Sequence, residues 1–459
     1  MPRRSSHEDC RARPVAAGGS RRRCVRLLLV VCVLILLPAC LFAADLSPME
    51  QLGKELFFDK NLSSPPGQSC ASCHAPEVGF TGPDSAVNQA SGIYPGAVPE
   101  RFGNRKPPSA AYASFSPKRQ YDEQNGIWIG GQFWDGRTDD LVAQGKGPFL
   151  NPLEMNNASA QEVVDKVRQS QYRGQFEGVY GENALNETDA AFDRIAEAIS
   201  AYESSREVNP FSSKYDAYLA RRAKLTAQEE RGLHLFGGKA NCSSCHPHQT
   251  GSDGSPPLFT NFTYHNVGAP RNPAHPFYHA DASVNPDGTK YRDLGLGAIL
   301  KDAAHAGKVK VPTLRNVTKK PNPQFVKAYL HNGVFKSVKD VVRFYNMRDV
   351  TKDKYLLPDV KANINHDDLG NLGLTPSEED DIVAFLETLS DGYVPVPVPT
   401  PIPVQTPVQT VDSPKELPAT APPVTTYDPF RGVRDVIRVE RFRNGFLVES
   451  SRQDGTRRR

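Results

Sequence analysis

At 459 residues, the chain is long enough for two domains with real cores, plus tails. A hydrophobic content of 38% with 39 prolines argues against a membrane bundle and for a soluble, loop-rich protein. The formal net charge of +3 is too small to argue for nucleic acid. Arginines crowded at the two ends (Arg21, Arg22, Arg23 and Arg26; Arg457 to Arg459) skew even that balance.

The first 44 residues read as an export leader. A basic segment through Arg26 precedes the apolar run Leu27 to Leu37, and small residues follow at Ala39, Ala43 and Ala44. Three routes stay open. They are cleavage near Ala43 or Ala44, acylation of Cys40 in Leu37-Pro38-Ala39-Cys40, and an uncleaved anchor of near-spanning length. The tripartite pattern favours cleavage, which predicts a periplasmic protein, soluble or tethered.

Helices are predicted to dominate. Ser47-Pro48-Met49-Glu50 is a capping box with proline at the first helical position, ahead of Leu52, Leu56 and Phe57. The device recurs at Thr226-Ala227-Gln228-Glu229 and at Thr375-Pro376-Ser377-Glu378. An internal repeat sets the domains: Gly53-Lys54-Glu55-Leu56-Phe57 and Gly232-Leu233-His234-Leu235-Phe236 each lead into a cysteine pair. The expected fold is mostly α, with an N-terminal domain over 45–215 and a C-terminal domain over 216–392. A Pro-rich linker over 393–426 follows, then a hairpin tail over 427–459 signalled by Asn444-Gly445 between alternating runs.

The chemistry lies in two C-x-x-C-H runs, Cys70-Ala71-Ser72-Cys73-His74 and Cys242-Ser243-Ser244-Cys245-His246. That pattern attaches c-type haem: two thiols form thioethers and the histidine ligates iron. A zinc or thioredoxin-type C-x-x-C is the weaker alternative, because both copies carry the histidine in an exported chain. The other four cysteines lie at or before the leader's apolar run, so no disulfide framework is expected.

The order of further motifs resembles the bacterial di-haem cytochrome c peroxidase family, and within it the MauG-like branch. The matching pieces are Leu56-Phe57-Phe58-Asp59, Phe133-Trp134-Asp135-Gly136-Arg137, Gln144 with Gly147-Pro148, and Asn151-Pro152-Leu153-Glu154-Met155. In the second half they are Val311-Pro312-Thr313-Leu314-Arg315-Asn316-Val317, Tyr329-Leu330-His331-Asn332-Gly333 and Val341-Val342-Arg343-Phe344-Tyr345-Asn346. The resemblance implies two cytochrome c-like domains, each enclosing one covalent haem c. It implies Glu154 as the acid–base group over the first haem, where the bland alternative is a surface helix carboxylate. Gln144 would hydrogen-bond the bound oxygens, Pro148 would wall the pocket, and Trp134 would stand between the haems, although a lone tryptophan reads as core. Asp135 and Arg137 are expected to fix the fold or a haem propionate, and His331 to sit near a propionate or the domain contact.

Two departures sharpen that picture. No histidine follows His74 until His234, so nothing in the first half can cap that iron with imidazole. Second, the slot that methionine fills in many relatives is Tyr345 here, with Met347 as rival ligand. The resemblance also implies one calcium between the domains, with Asn104 the nearest candidate; Arg105-Lys106-Pro107-Pro108 departs from the usual pattern and leaves that site open. His265, His275, His279, His305 and His366 are expected to be exposed. The expected activity is reduction of hydrogen peroxide with electrons from a small periplasmic donor, a cytochrome c or a cupredoxin. Alternatives are an oxidase that modifies a side chain of a protein substrate, and a di-haem electron carrier without peroxide chemistry.

Overall fold

A computed structural model describes residues 45–351 and 354–395. The leader, the linker from residue 396 on and the tail hairpin therefore lie outside the described residues. The helices are α1 (Pro48–Phe58), α2 (Ser85–Ala90), α3 (Leu141–Leu150), α4 (Ala160–Gln169), α5 (Arg173–Tyr180), α6 (Thr188–Ser204), α7 (Lys214–Leu219), α8 (Ala227–Gly237), α9 (Leu296–Leu300), α10 (Val338–Met347) and α11 (Pro376–Glu387). Long loops connect them, and two short antiparallel ladders are the only extended strands among the described residues. β1 (Gln120–Asp122) pairs with β2 (Ile127–Ile129), and β3 (Tyr264–His265) pairs with β4 (Val309–Lys310). No helix among the described residues is long and apolar enough to cross a membrane.

All three anticipated capping boxes form. At α1 the Ser47 hydroxyl accepts from the Glu50 amide at 3.3 Å, and the Glu50 carboxylate accepts from the Ser47 amide at 2.7 Å. Thr226 with Glu229 opens α8, and Thr375 with Glu378 opens α11, in the same way. Each box satisfies two otherwise orphaned donors at a helix start.

Two apolar cores result. One collects residues from Leu52 to Val208, the other residues from Tyr215 to Leu389. Each is organised by one helix crossing, α1 over α6 and α8 over α11. At both crossings the contact is a glycine of the repeated motif. A Cβ on Gly53 would overlap the Ala198 carbonyl and crowd Tyr202, and a Cβ on Gly232 would overlap the Asp381 carbonyl and crowd Phe385. The repeat therefore extends to the partner helices: Ala198 corresponds to Asp381, and Tyr202 to Phe385. Below the crossings, Phe57 packs edge-on to Tyr202, and Phe236 to Phe385.

The two cores meet along a polar seam. Arg105 forks onto Asp293 at 2.7 and 2.6 Å and reaches Asp135 at 2.6 Å, with all three side chains under a tenth exposed. A buried Arg315–Asp216 pair, at 2.9 and 2.8 Å, anchors the Val311–Val317 segment to α7. Bidentate geometry of this kind is what lets a buried ion pair offset its desolvation.

Gly232→Ala should push α8 off α11 and destabilise the protein by about 1–3 kcal/mol, as overpacking does, seen as a lower thermal midpoint. Gly174→Ala on α5, where a Cβ meets nothing within 4 Å, should instead stabilise by about 0.5–1 kcal/mol.

Candidate active site

Each C-x-x-C-H run folds into the same tight turn. Cys70–Ser72 and Cys242–Ser244 are single 3-10 turns, and the His74 and His246 amides both donate to the first cysteine's carbonyl at 2.9 Å. Each histidine ring is then aimed by a carbonyl. His74 Nδ1 lies 3.2 Å from the Phe80 oxygen, and His246 Nδ1 lies 2.7 Å from the Phe259 oxygen. Donation from Nδ1 leaves Nε2 as the nitrogen available to iron, the usual outer-shell arrangement of a metal-ligating histidine. Both phenylalanines hold positive φ, 56° and 54°, a conformation that is unfavourable for a bulky residue. Phe80 and Phe259 were not picked out from the sequence. Their spacings from the histidines differ, six residues against thirteen, so no repeat signal exposes them.

A cavity of about 200 Å³ opens above the first turn and one of about 220 Å³ above the second. The first is lined by Cys70, Cys73 and His74, the second by Cys242, Cys245 and His246. Burial pushes the Cys73 and Cys242 thiols up to about 12, raises Cys70 and Cys245 too, and lowers both histidines to about 4. Each wall also leaves a buried polar atom unpaired, Gln68 Oε1 in the first cavity and His331 Nδ1 in the second. The donor set of each cavity, two thiols and an aimed imidazole, fits one haem.

The first cavity gathers the residues expected to act there. Asp140 caps α3 through the Ala143 amide at 3.0 Å. Gln144, Pro148 and Asn151 then follow at helical spacing on one face, all lining the cavity. Pro148 lies inside the helix and brings no N–H to the Gln144 carbonyl. Glu154 completes the group: its Oε1 accepts from Asn151 Nδ2 at 3.0 Å. Burial raises its carboxyl above the ordinary value of 4.5, against the pull of Arg137 and of the Asn151 hydrogen bond. Arg137 is itself held by Asp135 at 3.0 Å and lies over the Phe133 ring.

Trp134 lines both cavities, and its Nε1 donates to the Lys106 carbonyl at 2.9 Å. His331 lies edge-on to this indole, with centroids 6.3 Å apart, and lines the second cavity. On α10, the stripe Val338, Val341, Val342 and Tyr345 faces the second cavity, while Met347 is not among its lining residues. Two residues further along a helix is nearly the opposite face.

The histidine expectation holds at His279 and His366 and needs correction at His265, His275 and His305, the last being only partly exposed. His275 is 2% exposed, with Nε2 against the Asn104 carbonyl at 3.1 Å and Nδ1 accepting from the Phe277 amide. His265 lines the second cavity, 3.8 Å from Cys245 Sγ. Both sit in loops, but the loops fold inward. The calcium expected at Asn104 does not fit the donors found. The Asn104 amide donates to the Tyr291 hydroxyl at 2.8 Å, its carbonyl faces His275, and Arg105 and Lys106 follow with two cations.

A carboxyl in the first cavity was not picked out from the sequence. Glu203, on α6, is 7% exposed, lines the first cavity, and has no side-chain hydrogen bond among the described residues. Desolvation alone lifts it to about 8. By the crossing register, its counterpart in the second half is Leu386, which lines the second cavity. The fold accepts an apolar residue there, so the carboxyl belongs to the first site specifically. Because its folded pKa lies above its unfolded one, Glu203 stays protonated after the unfolded chain has ionised. Its penalty therefore appears as pH rises from about 4.5 and levels off above about 8. Glu203→Leu should flatten that part of a pH–stability curve measured by chemical denaturation.

The family model described as di-haem cytochrome c peroxidase matches residues 47–224. The methylamine utilization protein MauG of Paracoccus denitrificans is 35% identical over 80% of this chain and 96% of its own. The cytochrome c551 peroxidase of Pseudomonas aeruginosa is 30% identical over 74% of this chain and 78% of its own. Among solved structures, the diheme peroxidase BthA of Burkholderia thailandensis superposes with a TM-score of 0.66 at 33% identity, covering 76% of this chain and 87% of that one.

Proposed function

The chain belongs to the di-haem cytochrome c peroxidase family, whose members are oxidoreductases, and from that premise we propose that it reduces hydrogen peroxide to water. The electrons would come from a small periplasmic donor, a cytochrome c or a cupredoxin, the chain being exported. The observation that carries this reading is the Glu154 carboxyl, held by Asn151 beside Gln144 and Pro148 in the first cavity. A pure electron carrier has no use for an acid–base group there.

Haem held by Cys70, Cys73 and His74 would supply the iron at which the peroxide bond is reduced, and haem held by Cys242, Cys245, His246 and Tyr345 would supply the electron-entry centre. Two electrons and two protons convert one peroxide into two waters. Glu154 takes the proton from the near oxygen of the peroxide and returns it to the departing one. Gln144 orients the oxygens by hydrogen bonding, and Pro148 keeps bulk water from that face. Trp134 carries electrons through the wall shared by the cavities. The two halves, 45–215 and 216–392, thus hold unlike centres in like folds. Tyr345 rather than Met347 would join His246 in holding the second haem in this reading, because it alone of the two lines the cavity.

A second reading is an oxidase that modifies another protein's side chain. It is favoured by that same Tyr345 and by the 35% identity to MauG, since tyrosinate stabilises oxidised iron better than a thioether does.

Glu154→Gln should lower kcat/KM for peroxide by about 10²- to 10⁴-fold with the resting optical spectrum unchanged, in steady-state assays with a reduced cytochrome. Wild-type protein without donor-dependent turnover, whose Soret bands nevertheless change lastingly with peroxide, would favour the second reading. The proton-accepting form of Glu154 is lost as pH falls through its raised pKa, so kcat/KM should show an acid limb above the ordinary carboxylate range. Asn151→Ala removes a hydrogen bond that favours the carboxylate and should move that limb to higher pH. Tyr345→Met should raise the reduction potential of the second haem in spectroelectrochemical titration.

A further inference from the structure

Three lysines at the seam, two buried and Lys310 partly buried, have no counter-ion among the described residues. Lys106, Lys310 and Lys327 all line the second cavity, and Lys106 lines the first as well. Lys106 and Lys327 are 8% and 7% exposed. Among the described residues none of the three pairs with a carboxylate; their partners are neutral oxygens. Lys106 Nζ donates to Thr81 Oγ1 and the Pro107 carbonyl, each at 2.8 Å. Lys310 Nζ donates to the Gly131 carbonyl and to Ser116 Oγ at 3.3 Å. Lys327 Nζ reaches three carbonyls, those of Val78, Asn316 and Lys319, at 2.8, 2.7 and 3.1 Å.

An ammonium carries three donors. Lys106 and Lys310 each keep one hydrogen unassigned, whereas Lys327 has none left and contributes charge alone. The nearby acids are already engaged: Asp135 takes Arg105 and Arg137, Asp293 takes Arg105, and Asp216 takes Arg315. Asp368, the one carboxylate lining the second cavity, accepts from Asn241 and Asn365. With no anion to offset desolvation, burial lowers the Lys106 and Lys310 amines to about 7 and Lys327 well below the ordinary lysine value. An anionic group seated in the second cavity against the seam would take the free donors of Lys106 and Lys310 and favour their charged forms.

We propose that Lys106, Lys310 and Lys327 form the receptor for the propionates of the second haem, with Lys106 and Lys310 donating to the carboxylates and Lys327 fixing the local positive potential. This rests on the two-haem reading above.

The test uses full-length, haem-loaded protein and two signals of the second haem, its propionate bending band in resonance Raman and its reduction potential. Lys310→Met and Lys327→Met should each lower the potential. Lys310→Met should also shift the band, and Lys310→Arg should restore the potential towards wild type. Unchanged band and potential in Met variants carrying both haems would overturn the proposal. If the Met variants fail to load haem, the wild type decides. Its propionate band should shift in deuterium oxide when lysine donors hold it, and an unshifted band overturns the proposal. A wild-type mass lacking the second covalent haem would overturn the two-haem reading as well, which separates the two failures.

Discussion

Each half of this protein is built on a place where two helices come too close for any side chain. Gly53 lies against the Ala198 carbonyl and Gly232 against the Asp381 carbonyl, so the first and last helices of each half cross in backbone contact. That crossing sets where the following turn begins, and the turn carries the cysteines and histidine. Ile199 and Ile382, one residue beyond Ala198 and Asp381, reach the two cavities from the same helices. Helix packing thus shapes one wall of each cavity, and the loops line the rest.

The same scaffold is then made to differ. Phe80 and Phe259 aim the two histidines alike through carbonyls held at positive φ. The residues facing those histidines are not alike. One cavity receives Gln144, Glu154 and Glu203, and the other receives Tyr345, Leu386 and the seam lysines. Strained backbone is retained where it orients a ligand nitrogen, consistent with the clustering of such strain at functional sites. Trp134 and His331 stand where the two environments meet.

Much of the fold was legible in the chain itself. The capping boxes mark three helix starts to the residue because capping is a local transaction between side chain and backbone over four positions. Gln144, Pro148 and Glu154 were grouped by the resemblance to the peroxidase family, and α3 carries Gln144 and Pro148 to one wall of the first cavity. The loop histidines were misjudged for the opposite reason. Pro- and Gly-rich loops read as exposed, yet His275 and His265 are folded inward by contacts with Asn104 and Cys245, 171 and 20 residues away.

Sequence by itself determined the two C-x-x-C-H turns, because two thiols and an imidazole on contiguous chain make the pattern that attaches haem c. It also determined the repeat, because both glycines recur at one offset from an aromatic helix face. Only the tertiary structure decided what confronts each anchor. Glu203 entered the first site through a helix crossing, and Lys106, Lys310 and Lys327 were gathered by the closing of the two cores along one seam. Such neighbours share no motif, and what unites them is the absence of water and the charge each leaves unanswered.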